Sequence, residues 1–350
     1  EKDLFSSSLA FISFWFLLAG VILLIPSFWF FNTGTPMITG GSLVFIAAVL
    51  YFINVLKTSG SCRRYSMQKC FVLSSALWLL YTITVGLLLA INLAHPFFNK
   101  DQLSILKLHA HAGIAGWFLQ LITGVSSKLI PMFLLGKAKN NKLLYYSFIL
   151  QNAGLILFEA DGYFNGITYR IFIYLLIICA GIIVYVMYLH SAFKSRVRKK
   201  IDSQMRQTFS SFAFLALAIL CIPLLYFFRD TRWAIIYGAL LFMGWISGII
   251  LGKTFKTLPF IVWNNLYKKI NGKVKVPLPK QLYNESLTQY QFILFWTAMI
   301  LLIAGLLINS LFIIRLALIA WLMTAVAYIL NVAKILLHKS KISSDGILHK

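Results

Sequence analysis

The chain has 350 residues, of which 60% are hydrophobic and only 12% are charged, and its mean hydropathy is +0.83. A soluble domain has an apolar share nearer ~45–50%, so its interior could not hide this excess. At ~20 residues per crossing, the apolar residues are enough for about ten membrane-spanning helices. The composition therefore excludes soluble enzymes, disordered chains, disulfide scaffolds and nucleic-acid binders, and it predicts an all-α, polytopic membrane protein.

Ten apolar runs, separated by charged or turn-rich breaks, predict ten transmembrane helices. Their approximate ranges are 9–31, 39–56, 70–93, 104–134, 143–164, 169–190, 208–228, 233–257, 289–310 and 312–337. The fourth run is long for one crossing, so we expect that helix to tilt or to project from the bilayer.

The net charge of +23 comes from 32 Lys and Arg residues against nine Asp and Glu residues, and its distribution predicts the orientation. Ten crossings put both termini on one face, and most of the basic residues lie there. The connections on that face are 57–69, 135–142, 193–207 and 258–288. The basic residues on the opposite face are Lys100, Lys107, Arg170, Arg229, Arg232 and Arg315. The positive-inside rule therefore predicts that both ends are cytoplasmic and that the protein lies in the cell (inner or cytoplasmic) membrane.

The four cysteines form neither a CxxC nor a CxxCH motif. No zinc knuckle and no covalent c-type haem attachment is therefore indicated. Cys62 and Cys70 lie in a basic cytoplasmic connection, where we expect free thiols.

An internal repeat relates the fourth and eighth spans. The fourth carries Gly116-Trp117, Gly124, Lys128 and Pro131, and the eighth with its exit carries Gly244-Trp245, Gly252, Lys256 and Pro259. The two sets have the same spacing and stand 128 residues apart. A tyrosine also recurs near the end of spans two, six and ten (Tyr51, Tyr185 and Tyr328), and Gly20 in span one echoes Gly154 in span five.

These repeats predict three arcs of helices, 1–95, 96–230 and 231–350, entered partway through the first. The middle arc contains the His-x-His helix, 104–134, and the last contains the connection 258–288 and a basic tail. Two helices are then expected to precede this chain, on a longer polypeptide or on another one.

The motif His109-Ala-His111-Ala-Gly113, with Gly116-Trp117 and Ser127-Lys128-Leu-Ile-Pro131 after it, resembles that of small, divergent relatives of the haem–copper oxidase catalytic subunit. It is also similar to a related membrane family associated with nitric-oxide stress. Pseudo-threefold arcs of four helices are a further likeness to haem–copper oxidase subunit I. The resemblance extends over all ten spans as a pattern but is specific only in 104–134. It implies that this chain corresponds to helices three to twelve.

The two histidines of this motif are the strongest candidate ligands. They lie five to seven residues into a helix entered from the outer face, which is about 8–10 Å along it. Their side chains diverge by ~200°, so they face opposite sides of the helix and cannot readily chelate one ion together. The arrangement suits a helix that lies between two sites, with each imidazole supplying one axial ligand to a flat cofactor, and the resemblance implies b-type haem at His109, His111 or both. The alternative is a structural or proton-relay role in which each histidine bonds to neighbouring helices.

Haem propionates need cationic partners near the outer surface. The resemblance implies this role for Arg315, near the connection between spans nine and ten. Arg229 and Arg232 are further candidates. Each could equally be an interfacial anchor.

Departures from the family predict that copper is not bound. The tenth helix of the family supplies histidine to both haems, but the positions equivalent to His109 and His111 are Tyr237 and Ala239 here. Span 143–164, which corresponds to the helix with the copper histidine pair, contains no histidine. A complete oxygen-reducing centre cannot be built from this chain, so the sequence does not predict a cytochrome c oxidase.

Glu159 is a further candidate, near the outer end of span five. It could carry a proton or bind a metal at the outer face. The alternative is a solvated carboxylate in a loop that precedes a turn at Gly162.

The sequence therefore predicts a haem-b-binding integral membrane subunit with a degenerate copper site. It would act in respiratory electron transport or in the handling of nitric oxide or oxygen. Its expected partners are membrane lipid and a redox protein or further membrane subunit, without nucleic acid. The alternative is a cofactor-free structural or assembly subunit. A secondary transporter is disfavoured because no pair of broken helices is evident.

Overall fold

A computed structural model describes residues 4–61, 65–138, 140–197, 201–228 and 230–339. This part of the chain is helical and contains ten helices that are long and apolar enough to cross a membrane. The prediction of an all-α, polytopic membrane protein with ten spans is thereby confirmed in its helix content and number of apolar helices.

The ten helices keep the order of the predicted spans. They are α1 Ser7–Trp29, α2 Thr35–Gly60, α3 Met67–Ala94, α4 Gln102–Leu134, α5 Asn141–Asn165, α6 Ile171–Lys194, α7 Ser203–Phe228, α8 Thr231–Tyr267, α9 Glu285–Leu307 and α10 Leu311–Leu336. They fall into two compact units, Glu1–Lys199 with α1 to α6 and Lys200–Lys350 with α7 to α10.

Helix α8 is longer than the sequence predicts, since it continues from 257 to Tyr267. The apolar run is interrupted by Lys253, Lys256 and Pro259, but none of these ends the helix. The last turns are held by contacts with the connection that follows, because Trp263 Nε1 donates a hydrogen bond to the Pro277 carbonyl oxygen at 2.6 Å. Helix α8 has 37 residues, a length of about 55 Å that exceeds the ~30 Å hydrocarbon core.

In the first unit, the contacts between α1 and α2 recur between α5 and α6. A Cβ atom at Gly20 would lie 2.7 Å from Val44 Cγ2, and one at Gly154 would lie 2.7 Å from Ile178 Cγ1. Both residues of the second pair stand 134 positions after those of the first. Glycine at these two positions lets the two helices approach closely, as in many transmembrane helix pairs.

A hydrogen bond repeats with the same offset. Ser13 Oγ donates to the Ala47 carbonyl oxygen at 3.0 Å, and Ser147 Oγ donates to that of Gly181 at 2.8 Å. The sequence similarity around Gly20 and Gly154 therefore corresponds to the same kind of helix–helix contact in the two helix pairs.

We expect Gly20→Ala and Gly154→Ala each to lower the free energy of unfolding in detergent by about 1–3 kcal/mol, because each methyl group overpacks the same contact. Gly60→Ala is the control, since a Cβ there meets nothing within 4 Å. We expect it to leave stability unchanged or slightly raised. Equal stability of all three variants would contradict the shared contact.

The packing of α3 against α4 likewise recurs in the packing of α7 against α8. A Cβ atom at Gly116 would lie 2.6 Å from Trp78 Cγ, and one at Gly244 would lie 2.7 Å from Phe214 Cγ. Each long helix also widens to π-helical geometry around its Gly-Trp pair, over Ala112–Phe118 in α4 and Ala239–Ser247 in α8. The repeated motif thus coincides with a repeated backbone distortion.

Two of the three recurring tyrosines make equivalent hydrogen bonds in the two units. Tyr185 of α6 hydrogen-bonds Ser126 of α4, and Tyr328 of α10 hydrogen-bonds Thr254 of α8 with 3.1 Å between the hydroxyl oxygens. Ser126 and Thr254 are 128 residues apart, which is the offset of the repeat. The tyrosines thus fasten the long helix to the last helix in each unit.

Candidate functional site

His109 lies on α4 with its imidazole against α3. Its Nδ1 is 2.9 Å from the Thr82 carbonyl oxygen. A carbonyl oxygen only accepts, so Nδ1 carries the proton and the lone pair of the neutral imidazole is on Nε2. The described residues supply no hydrogen-bond partner to Nε2. Histidines that bind metals are commonly held in this way, with the second ring nitrogen donating to a backbone carbonyl group.

Gly86, one helical turn beyond Thr82, provides the space for this ring. A Cβ atom at Gly86 would lie 2.8 Å from His109 Cε1 and 3.4 Å from Nδ1. Any larger residue at this position would therefore displace the imidazole from its hydrogen bond.

His109 borders a cavity of about 560 Å³ that is lined by residues of α1, α2, α3 and α4. That volume lies within the range of small-molecule and cofactor pockets. Apart from His109 and Gln102, its wall is apolar, with residues that include Leu24, Phe28, Val44, Ile83, Leu87 and Leu106. The site therefore combines one oriented imidazole with an apolar chamber.

His111 faces the other side of α4. Its ring centroid lies 5.3 Å from that of Phe158 on α5, and its Nδ1 bonds to the Lys107 carbonyl oxygen of its own helix at 2.7 Å. The expectation that the two histidines point in opposite directions is thus confirmed by their contacts. His111 is not among the residues that line the large cavity.

The three candidate arginines belong to the sequence of the second unit. Arg315 lies in the first turns of α10, is exposed, and has no hydrogen bond or ion pair with the described residues. Arg232 is bound to Asp230, with 2.7 Å between Nη2 and Oδ2, and hydrogen bonds from Arg232 hold the pKa of the Asp230 carboxyl below its usual value. Arg229 lies outside the described residues, as does Cys62.

The structure contradicts the alternative that places Glu159 in a solvated loop. Helix α5 continues past Gly162 to Asn165, and Glu159 is only 7% exposed. Its Oε2 accepts a hydrogen bond from the Tyr81 hydroxyl group at 3.2 Å. Gly162 marks a close helix contact instead of a turn, because a Cβ atom there would lie 2.6 Å from Leu108 Cδ2.

A polar network that the sequence did not predict joins α3, α4 and α5. Asn152 Oδ1 accepts hydrogen bonds from Ser74 Oγ at 2.9 Å, Trp78 Nε1 at 3.1 Å and Gln120 Nε2 at 2.8 Å. Asn152 Nδ2 donates in return to Gln120 Oε1 at 3.1 Å. The sequence shows polar residues within these three apolar spans, but only the relative register of the helices brings their side chains together.

Among the described residues, no three His, Cys, Asp or Glu side chains are close enough to hold a metal ion together. A haem needs no such cluster, since the protein supplies only axial ligands to its iron. No protein-family model matches the chain, and no curated protein sequence matches it.

Proposed function

We propose that this chain is a haem-b-binding subunit of the cell membrane that acts in electron transfer or in the handling of nitric oxide or oxygen. The observation that carries the proposal is the hydrogen bond from His109 Nδ1 to the Thr82 carbonyl oxygen. It leaves the Nε2 lone pair for a ligand, on a residue that borders a large apolar cavity.

The residues present fit one side of a haem. His109 Nε2 would bind the haem iron, and the apolar wall of α1, α2 and α3 would exclude water from the site. The bound iron would supply one-electron chemistry or gas binding, as in other haem proteins. Thr82 would hold the imidazole in a fixed orientation and tautomer, and Gly86 would give the ring room.

The orientation belongs to the same proposal. Both termini would be cytoplasmic, so His109 would lie nearer the outer face of the membrane. The arrangement as three oxidase-like arcs, with copper absent and a redox partner or further membrane subunit bound, is part of the hypothesis and depends on the resemblance of the His-x-His motif.

The reduced-minus-oxidised visible spectrum of the purified full-length protein tests this function. We expect the wild-type protein, expressed with haem supplied, to show the bands of a b-type haem and His109→Ala to lose them. His111→Ala is the matched control because it removes the same side chain from the opposite face of the same helix, and we expect it to keep the bands.

Two results would contradict the proposal. A featureless spectrum of folded wild-type protein would favour the cofactor-free structural or assembly subunit, in which His109 only bridges α4 and α3. Haem bands that persist in His109→Ala, with haem content unchanged, would show that another residue is the ligand.

A further inference from the structure

A second, smaller cavity lies among α7, α8 and α9. Its volume is about 10 Å³, and its lining includes Ser203, Gln207 and Gln291. These three residues are 7%, 3% and 3% exposed. Four of their buried polar atoms find no hydrogen-bond partner among the described residues: Ser203 Oγ, Gln207 Nε2, Gln207 Oε1 and Gln291 Oε1.

An unpartnered polar group in an apolar interior is costly, so a small ligand that pairs with these four atoms would stabilise the protein. The cavity beside His109 is different, because it is more than fifty times larger and its wall is mostly apolar. Here several buried polar atoms surround a space that holds about one water molecule, which needs roughly 10–15 Å³ by this measure.

The donor and acceptor atoms of the pocket indicate which small ligand can bind there. Its atoms include an amide donor, Gln207 Nε2, as well as oxygen acceptors, so a ligand that both donates and accepts is favoured. No carboxylate group is among the described residues that line the pocket, and Gln207 Nε2 is a donor, so a metal ion is disfavoured. A neutral water molecule meets both conditions.

We propose that one ordered water molecule binds in this pocket and joins α7 to α9. It accepts a hydrogen bond from Gln207 Nε2 and donates one to Gln291 Oε1, with Ser203 Oγ as its third partner. Internal waters in proteins typically make about three such bonds.

The first unit supports this assignment because it fills the corresponding position with an aromatic ring. A Cβ atom at Gly124 approaches Phe71 Cβ at 2.6 Å, and one at Gly252, 128 residues later, approaches Gln207 Cβ at 3.2 Å. Phe71 is fully buried, with its ring centroid 5.1 Å from that of Phe148. Gln207 therefore stands, in the second unit, at the position that Phe71 fills with an aromatic ring in the first.

A crystal structure of the full chain, at a resolution that shows ordered water, tests the proposal directly. We expect a density peak about 2.7–3.2 Å from both glutamine side chains, lost in Gln207→Leu. The control is Gln151→Leu, a buried glutamine of α5, which should leave the peak in place. Ordered glutamines without a peak, or ligand distances of about 2.3–2.6 Å that indicate a cation, would overturn the proposal.

Unfolding of Gln207→Leu, Gln291→Leu and the double variant gives an independent result. We expect each single substitution to lower the unfolding stability constant about tenfold, because it leaves the bridge incomplete. The double variant should be no less stable than either single variant, since it removes both glutamine partners and leaves only Ser203 Oγ unpaired. Costs that simply add would contradict a shared water.

Discussion

Replacing Asn152 by leucine is expected to lower the free energy of unfolding by about 2–4 kcal/mol. Asn152 Oδ1 accepts from Trp78 Nε1 and Gln120 Nε2, and Gln120 is completely buried. Leucine is similar in size but cannot accept these bonds, so at least two donors lose their partner in an apolar surrounding. Single hydrogen bonds in membrane proteins contribute about 0.6 kcal/mol on average, and the larger cost comes from the donors left without partners.

A double-mutant cycle distinguishes this network from simple packing. Gln120→Leu alone should also destabilise, but the variant with both substitutions should cost less than the sum of the two, because each change removes a group that the other leaves unpaired. Unfolding in mixed detergent micelles measures all three variants. Additive costs would show that Asn152 and Gln120 contribute independently.

The second unit shows that an apolar version of this contact can form. Gly244 approaches Phe214 as Gly116 approaches Trp78, so Phe214 takes the place of Trp78. Its ring centroid lies 4.8 Å from that of Trp296 on α9. Positions that are polar in one unit are therefore apolar in the other. The first unit has the Asn152 network and the Phe71 ring, whereas the second has the Phe214 ring and the Gln207 pocket at the corresponding positions.

The number and order of the helices could be predicted from the sequence because an apolar run of about twenty residues has one stable state in a bilayer. The end of α8 could not, since its last turns depend on the contact of Trp263 with the Pro277 carbonyl oxygen. Hydropathy reports transfer into lipid and does not report such contacts outside it. The repeat around Gly116 and Gly244 was visible because glycine is required wherever a large ring from the neighbouring helix lies against the backbone.

The candidate site was predictable only in part. Helical geometry alone gave the opposite directions of His109 and His111. The Thr82 carbonyl oxygen and Gly86 could not be identified as partners of His109, because a hydrogen bond between two helices depends on their relative register. The burial of Glu159 was missed for a related reason: the sequence Glu-Ala-Asp-Gly suggests a turn, whereas packing of Gly162 against Leu108 lets α5 continue.

Gly86→Ala is expected to reduce the affinity for haem about tenfold or more. The added methyl carbon would lie 2.8 Å from His109 Cε1, closer than two carbon atoms can stay, so the imidazole must leave its hydrogen bond to Thr82. Overpacking of this kind costs about 1–3 kcal/mol, and each 1.4 kcal/mol is a tenfold change in affinity. Haem titration of the purified protein, followed by absorbance, measures the change.

Gly41→Ala is the matched control because Gly41 lines the same cavity. A Cβ atom there would lie 3.1 Å from Leu87 Cδ1, the end of a flexible side chain, and it meets no atom of His109. We therefore expect Gly41→Ala to bind haem nearly as the wild type does, although it adds the same methyl group to the same chamber. Equal affinities of the two variants would mean that the position of the His109 ring does not control binding. A loss confined to Gly86→Ala would connect haem affinity to the hydrogen bond that orients this histidine.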